Sequence, residues 1–370
     1  MHFNSKKIVR ELKRIAKQFG SWIMNLYEPF MRWKHKRQPF QTRNINSEHL
    51  VSGKVAIFLV YQPKGLPASV WLTLTHLKSK GYSTLLVSNS PLSCEDSAKA
   101  LPLCWQVMSR PNFGYDFGGY QDGVNAIWAS GQSPRQLLIL NDSIWFPLRR
   151  NCDFLERMEA EDVGFVGAFQ LEPSRNPAKM QGKKRPFMGS FFWHIKEPVL
   201  SHTSFKDFWQ HYKASSSKYA TIRRGERRFT HHLLDAGVAV KGMYSRQQFD
   251  GWLDQANDID MRNTLRELCV ADPHLEGLRK RLLNQDLASP KGQAEVKDLV
   301  RTITASQNIM ATAPLFMVRD HGLPFLKKSA DETNLLALDK LCVYFEDNPD
   351  WIDSEVLQEM QAVVTAQWSV

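Results

Sequence analysis

Two carboxylates stand out in this 370-residue chain as residues able to do chemistry, Asp142 and Asp116. Asp142 follows an apolar run, residues 137–140, that stops at Asn141-Asp142-Ser143 within LLILNDSIWFP. That is the pattern of a buried parallel strand delivering polar side chains at its carboxyl end, where open α/β sheets bind ligands. Asp116 lies just upstream in RPNFGYDFGGYQDG, residues 110–123, where four glycines and two acidic residues surround aromatic rings. This composition predicts a loop folded close against a ligand or against the strand end. A hard cation such as Mg²⁺ or Mn²⁺, bound together with substrate phosphates, needs only one or two protein carboxylates, which Asp142 and Asp116 could supply. The competing reading is that Asp142 caps its turn and Asp116 stabilises its loop. Asn141 shares this strand end with Asp142, Tyr61, Asn89 and Arg110 fall at the ends of other predicted strands, and Glu226 arrives from a later helix.

Other chemistries lack their signatures. The chain has no G-x-x-x-x-G-K-[ST], no H-E-x-x-H and no G-x-S-x-G. The glycines of 110–123 do not form a dinucleotide fingerprint. His231 and His232 are adjacent, so on a helix they diverge by about 100° and cannot share a metal. Five scattered cysteines without a C-x-x-C pair argue for reduced thiols rather than a zinc site or disulfide framework.

The elements that must position these residues follow a regular rhythm. Residues 55–61 (VAIFLVY) predict a strand, and Pro67 opens a helix with Val70, Trp71, Leu74 and Leu77 that closes at Gly81. Residues 85–87 and 105–108 predict two more strands, and this alternation means a parallel sheet with right-handed crossovers. Strands are also expected at 163–169, 189–195 and 238–244, and a helix over 197–212. Glu226 is expected in the first turn of the helix in GERRFTHHLLDAG. The basic loop 173–186 reads either as a solvated surface loop or as a lid over an anionic ligand. The expected organisation is an arm at 1–45, an α/β domain at 46–250 and a helical region at 251–370.

Charge is concentrated at the start. Residues 1–37 hold ten Lys and Arg against two Glu, a net +8 of the formal +10. A helix from about Lys6 would align Ile8, Leu12, Ile15, Phe19, Trp22 and Leu26 in one stripe, with Tyr27, Phe30 and Trp33 thickening its far end. Such a segment either lies in an anionic membrane interface or docks on the protein body with a solvated basic face. Residues 38–50 read as linker. The near-neutral remainder argues against nucleic acid as a partner. With no apolar run long enough to span a bilayer and no secretory h-region, the expectation is a cytoplasmic protein, peripheral on the inner face of the membrane.

Four motifs in order (RPNFGYDFGGYxDG, LILNDSIWFPL, GSFFWHI followed by FKDFW, and ERRFTHHLLDAG) resemble the rhamnan-synthesis F family of glycosyltransferase-like proteins in bacterial cell-surface polysaccharide assembly. HGLPFLKKS, residues 321–329, is similar to the segment that closes that family's domain, so the resemblance covers about 54–330. It implies a GT-A-like, nucleotide-sugar-binding fold. The D-x-D-like motif of such folds lands on Asn141-Asp142-Ser143, making Asp142 the ligand of a divalent cation. Ser143 stands where a second acid is common. The general base of inverting enzymes corresponds to Glu226. The implied activity is transfer of a sugar, rhamnose by the family's name, from a nucleoside diphosphate donor to a polysaccharide or lipid-linked glycan. A non-catalytic glycan-binding or scaffold protein on the same fold is the alternative, favoured by Ser143.

Overall fold

The structure is a computed structural model and describes residues 27–38, 41–44, 52–171, 185–285 and 289–368. Its centre is β2 (Lys54–Val60), whose apolar run is buried on both faces. It pairs in parallel with β3 (Ser83–Ser88) on one side and β5 (Gln136–Asn141) on the other, and β4 (Gln106–Ser109) extends the parallel set beyond β3. β1 (Gln41–Asn44) closes that edge antiparallel to β4. Beyond β5, β9 (Phe192–Lys196) runs antiparallel between β5 and β7 (Phe165–Leu171). β10 (Val240–Ser245) is parallel to β7, and the short β8 (Phe187–Met188) is antiparallel to it. The mostly parallel nine-stranded sheet flanked by helices is the expected α/β architecture.

Strand alternation divides the core in two. Ala56, Phe58 and Val60 of β2, with Leu138 and Leu140 of β5, face one layer; Val55, Ile57, Leu59, Leu137 and Ile139 face the other. The first layer is covered by α2 (Ala68–Ser79) and by the carboxyl-terminal helices, among them α15 (Glu332–Asp347) and α16 (Ser354–Trp368). The second is covered by α4 (Tyr115–Ala129), α7 (Thr203–His211) and α9 (Arg228–Asp235). The residues expected to form a helical region thus share one core with the sheet.

Four expectations are corrected. The glycine-rich stretch is not a loop: from Tyr115 onward it is the helix α4. Its glycines serve packing, since a Cβ on Gly119 would lie 2.2 Å from Leu59 Cδ1 and one on Gly123 3.0 Å from Ile57 Cγ2. The helix presses directly on β2, and glycine's usual helix cost is offset by that close approach. The helix expected over 197–212 is broken into α6 (Glu197–Leu200) and α7, because the His202 side chain accepts from the Ser204 amide and starts a new helix. The expected linker contains an edge strand, β1. The carboxyl-terminal region is not wholly helical, because β11 (Leu326–Lys327) pairs antiparallel with β6 (Ile144–Trp145).

Residues 27–37 are helical and dock on the body. Glu28 is buried and accepts from Arg32 (3.0 Å), Arg224 (2.8 Å) and Ser215, and His35 meets Asp122 at 2.9 Å. The helix expected from Lys6 to Leu26 and most of the 173–186 loop lie outside the described residues.

The packing of α4 generates a measurable contrast. A Cβ on Gly118 would fall 2.2 Å from the Phe113 carbonyl, a backbone atom that cannot swing away. Gly118→Ala is expected to lower unfolding free energy by about 1–3 kcal/mol. Gly251 lies in α10 (Arg246–Gln255) with open space around it, so Gly251→Ala is expected to raise stability by about 0.5–1 kcal/mol. Urea unfolding of both variants checks the pair; equal effects would mean α4 does not need its glycine.

Candidate functional site

The parallel strands β2, β3, β4 and β5 deliver their carboxyl ends to one side, and the site is built there. Asp142, the first residue after β5, is held by the two residues that follow β2: its Oδ2 accepts from the Tyr61 amide (2.9 Å) and from Gln62 Nε2 (2.7 Å). Its own amide donates to the Leu59 carbonyl at 3.0 Å. Burial raises the Asp142 pKa, while these hydrogen bonds and the Lys328 charge oppose the rise. Asn141 is buried; its Nδ2 donates to Asp116 Oδ2 (3.1 Å), and its Oδ1 accepts from the Ser143 amide and hydroxyl (3.2 and 2.6 Å).

Asp116 stands in the first turn of α4, reached through two left-handed residues, Gly114 at φ 80° and Tyr115 at φ 51°. A non-glycine residue in that region is strained, and such strain concentrates at functional sites. Burial, then the Asp142 charge, pushes the Asp116 pKa up to about 6, against the pull of Lys327.

Glu226 is not in the first turn of α9 as expected. It lies in a π-helical turn, Arg223–Arg227, between α8 (Lys218–Ile222) and α9. Such turns re-aim a side chain. A Cβ on Gly225 would fall 2.4 Å from the Phe117 ring, so the turn rests on the residue after Asp116. Glu226 Oε1 accepts from the Ser190 amide and hydroxyl at 2.8 and 3.0 Å. Together with Asp116, Ser190 and Lys218 it lines a cavity of about 190 Å³.

Three positively charged side chains beside these carboxylates were not singled out from sequence. Lys327 ends β11 and Lys328 follows it, near the end of HGLPFLKKS, and the Lys328 amide donates to the Ser143 carbonyl at 2.7 Å. Lys328 Nζ also reaches Glu359 of α16 (3.1 Å) and Ser69 of α2 (2.7 Å), which clamps the strap. Lys218 comes from α8. The HGLPFLKKS motif was visible in the sequence, but nothing local tells which lysine faces the carboxylates.

The remaining expected residues are placed differently from one another. Tyr61 is half-exposed at the rim. Asn89 and Arg110 are buried behind the site: the Arg110 guanidinium donates to Asp122 (2.6 Å), to the Phe113 carbonyl (2.6 Å) and to Asn89, so its hydrogen-bonding capacity is committed within the fold. Among the described residues no group of three or more His, Cys, Asp or Glu converges as a protein-only metal cage. The oxygen donors of Asp142 and Asp116 fit the other arrangement, a hard cation completed by phosphate oxygens.

The raised Asp116 pKa fixes a sign for stability. Between the ordinary carboxylate value of 3.8 and about 6 the native state holds a proton that the unfolded chain has released. Stability therefore falls as pH rises through that window and levels off above it. Asp116→Asn removes the charge, so its stability relative to wild type is expected to improve from pH 4 to pH 7 by on the order of 1–3 kcal/mol. Chemical denaturation at the two pH values tests this, and a pH-independent difference would show that Asp116 does not titrate in that window.

Comparison with known proteins follows the motifs. The uncharacterized protein y4gN of Sinorhizobium fredii is 33% identical over 261 residues, which are 70% of this chain and 66% of that relative's length. Among solved structures, the mannosyltransferase Ktr4p from S. cerevisiae is 12% identical over 50% of this chain and 66% of its own, with TM-score 0.30. The mannosyltransferase PcManGT from Pyrobaculum calidifontis, in complex with GDP-Man and Mn²⁺, is 10% identical over 97% of this chain and 96% of its own, with TM-score 0.31. The model of the family described as "Rhamnan synthesis protein F" matches residues 84–264. The matched residues take in the four motifs on which the resemblance rests.

Proposed function

We propose that this protein is a glycosyltransferase that moves a sugar from a nucleoside diphosphate donor to a glycan or lipid-linked acceptor. The family match and the GT-A-like sheet support the reaction class. The observation that carries the reading is the convergence of Asp116, Asp142 and Glu226 at the sheet's carboxyl edge, with Lys327 and Lys328 brought beside them from a distant segment.

Asp142 and Asp116 would hold a divalent cation, Mn²⁺ or Mg²⁺, which when bound offsets charge on the departing diphosphate. Lys327 and Lys328 add fixed positive charge on the same side. Asn141 orients Asp116, while Tyr61 and Gln62 orient Asp142. Glu226, held through one carboxylate oxygen by Ser190, takes the proton from the acceptor hydroxyl as that oxygen attacks the anomeric carbon. Rhamnose as the transferred sugar rests on the family's name.

The helix at 27–37 supports attachment to an anionic membrane surface. Tyr27, Phe30 and Trp33 are 54%, 49% and 50% exposed, in a row pointing away from the docked side. Among the described residues no helix is long and apolar enough to cross a membrane, and an exposed aromatic row with basic neighbours suits the interface instead.

Titration of nucleoside diphosphates with Mn²⁺ is expected to show tight binding of one base by wild type and none by Asp142→Ala. Glu226→Gln, which keeps an oxygen for Ser190, is expected to bind donor within about threefold of wild type while transfer falls by 10²-fold or more. Loss of donor binding in Glu226→Gln would make that residue structural, and no nucleotide binding by wild type would favour the scaffold reading. For the membrane surface, Phe30→Ser/Trp33→Ser is expected to reduce co-sedimentation with anionic vesicles; unchanged sedimentation would remove that part of the proposal.

A further inference from the structure

A second, larger cleft lies on the other side of the turn that carries Glu226. It encloses about 1020 Å³ and is lined by six arginine and lysine side chains against two carboxylates, Asp207 and Asp235. Both carboxylates have partners: Asp235 accepts from Arg185 at 2.7 Å, and Asp207 meets His211 at 3.0 Å. Arg224 is committed to Glu28 at 2.8 Å. Arg223 and Arg228 are exposed and form no ion pair among the described residues. Repulsion among such cations is a standing cost in a concave site, and it is relieved when an anion with several oxygens is shared between guanidinium forks.

We infer that this cleft binds the phosphate or diphosphate group of the acceptor, so that the acceptor is a phosphate-linked glycan rather than a neutral sugar. The π-helical turn makes the connection. It presents Glu226 to the small cavity beside Asp116 and Ser190, while Arg223, Arg227 and the adjoining Arg228 line the large cleft. An acceptor anchored by its anionic end in the cleft is thereby attached to the element that holds the base. The floor adds ring faces, because Phe208 and Tyr212 stack there with centroids 5.7 Å apart. The acceptor assignment rests on the glycosyltransferase reading; anion binding by the cleft does not.

The test is calorimetric titration of inorganic pyrophosphate into the full chain, without divalent metal, for wild type, Arg223→Ala/Arg228→Ala and Lys327→Ala. Both arginines are exposed, so the double variant is expected to keep the wild-type melting temperature. The inference expects one pyrophosphate site, weakened at least tenfold in the arginine variant, close to wild type in Lys327→Ala, and weakened by added salt. Absence of binding, loss only in Lys327→Ala, or equal loss in both variants overturns it. Because nucleotide binding is read separately through Asp142→Ala, failure of the cleft and failure of the donor site are distinguishable. The source of the phosphate is read with phosphatidylglycerol vesicles carrying a prenyl diphosphate. Preferential sedimentation with the doped vesicles, lost in the arginine variant, identifies a lipid diphosphate; pyrophosphate binding without that preference identifies a soluble phosphorylated glycan. Equal sedimentation with doped and undoped vesicles that is lost in the arginine variant would make the membrane surface itself the ligand and overturn the inference.

Discussion

Two carboxylates held close together at the end of a buried strand repel each other, and much of the surrounding structure answers that repulsion. Burial, and after it the charge of Asp142, raises the Asp116 pKa to about 6. Left alone, such a pair would favour protonation or would pull its elements apart. Hydrogen bonds from the Tyr61 amide and Gln62 stabilise the charged form of Asp142. The β11 strap brings Lys327 and Lys328 to the same edge, and Glu359 and Ser69 hold the strap there. The carboxyl-terminal helices are therefore part of the site's electrostatics as well as of its core.

Placing Asp116 near Asp142 also requires α4 to approach β2 more closely than side chains normally permit. Gly119 and Gly123 provide that approach, Gly118 makes room for the Phe113 carbonyl, and the left-handed pair Gly114 and Tyr115 turns the chain sharply enough to start the helix at the strand edge. On the far side Gly225 lets the π-helical turn settle on Phe117. Glycine thus sets the spacing of α4 on β2 and of the π-helical turn on Phe117, the two elements that carry Asp116 and Glu226.

How much of this was legible in the sequence depended on the range of the forces involved. The parallel strands and α2 were readable because apolar runs, Pro67 and Gly81 are local signals. The ending of the apolar run at Asn141 located the strand edge for the same reason. The glycine-rich segment misled because glycine lowers helix propensity wherever it stands; only contact with Leu59 and Ile57, far away in sequence, explains a helix there. Lys327 and Lys328 were quoted within a motif yet given no role, since their positions depend on a two-residue pairing with β6 across about half of the chain. Arg110 and Asn89 were recognised as polar residues at strand ends, but which way each side chain turns is decided by Asp122 and His35. Glu226 was picked out by resemblance, and the π-helical turn that aims it has no sequence signal of its own.

The amino-terminal helix shows how far a pattern argument can be inverted by its partner surface. Amphipathic reasoning sends aromatic residues inward and basic ones outward. In residues 27–37 the inward face instead carries Glu28, Arg32 and His35, because the surface awaiting it presents Arg224, Ser215 and Asp122. A buried carboxylate with two guanidinium partners tolerates desolvation that a lone one would not, and Glu28 is accordingly held in its charged form. With the polar face used for docking, Tyr27, Phe30 and Trp33 have each other and Arg37 as ring partners among the described residues. The same ion pair that docks the helix removes Arg224 from the basic cleft's free charge, so the helix and the cleft are coupled through one guanidinium.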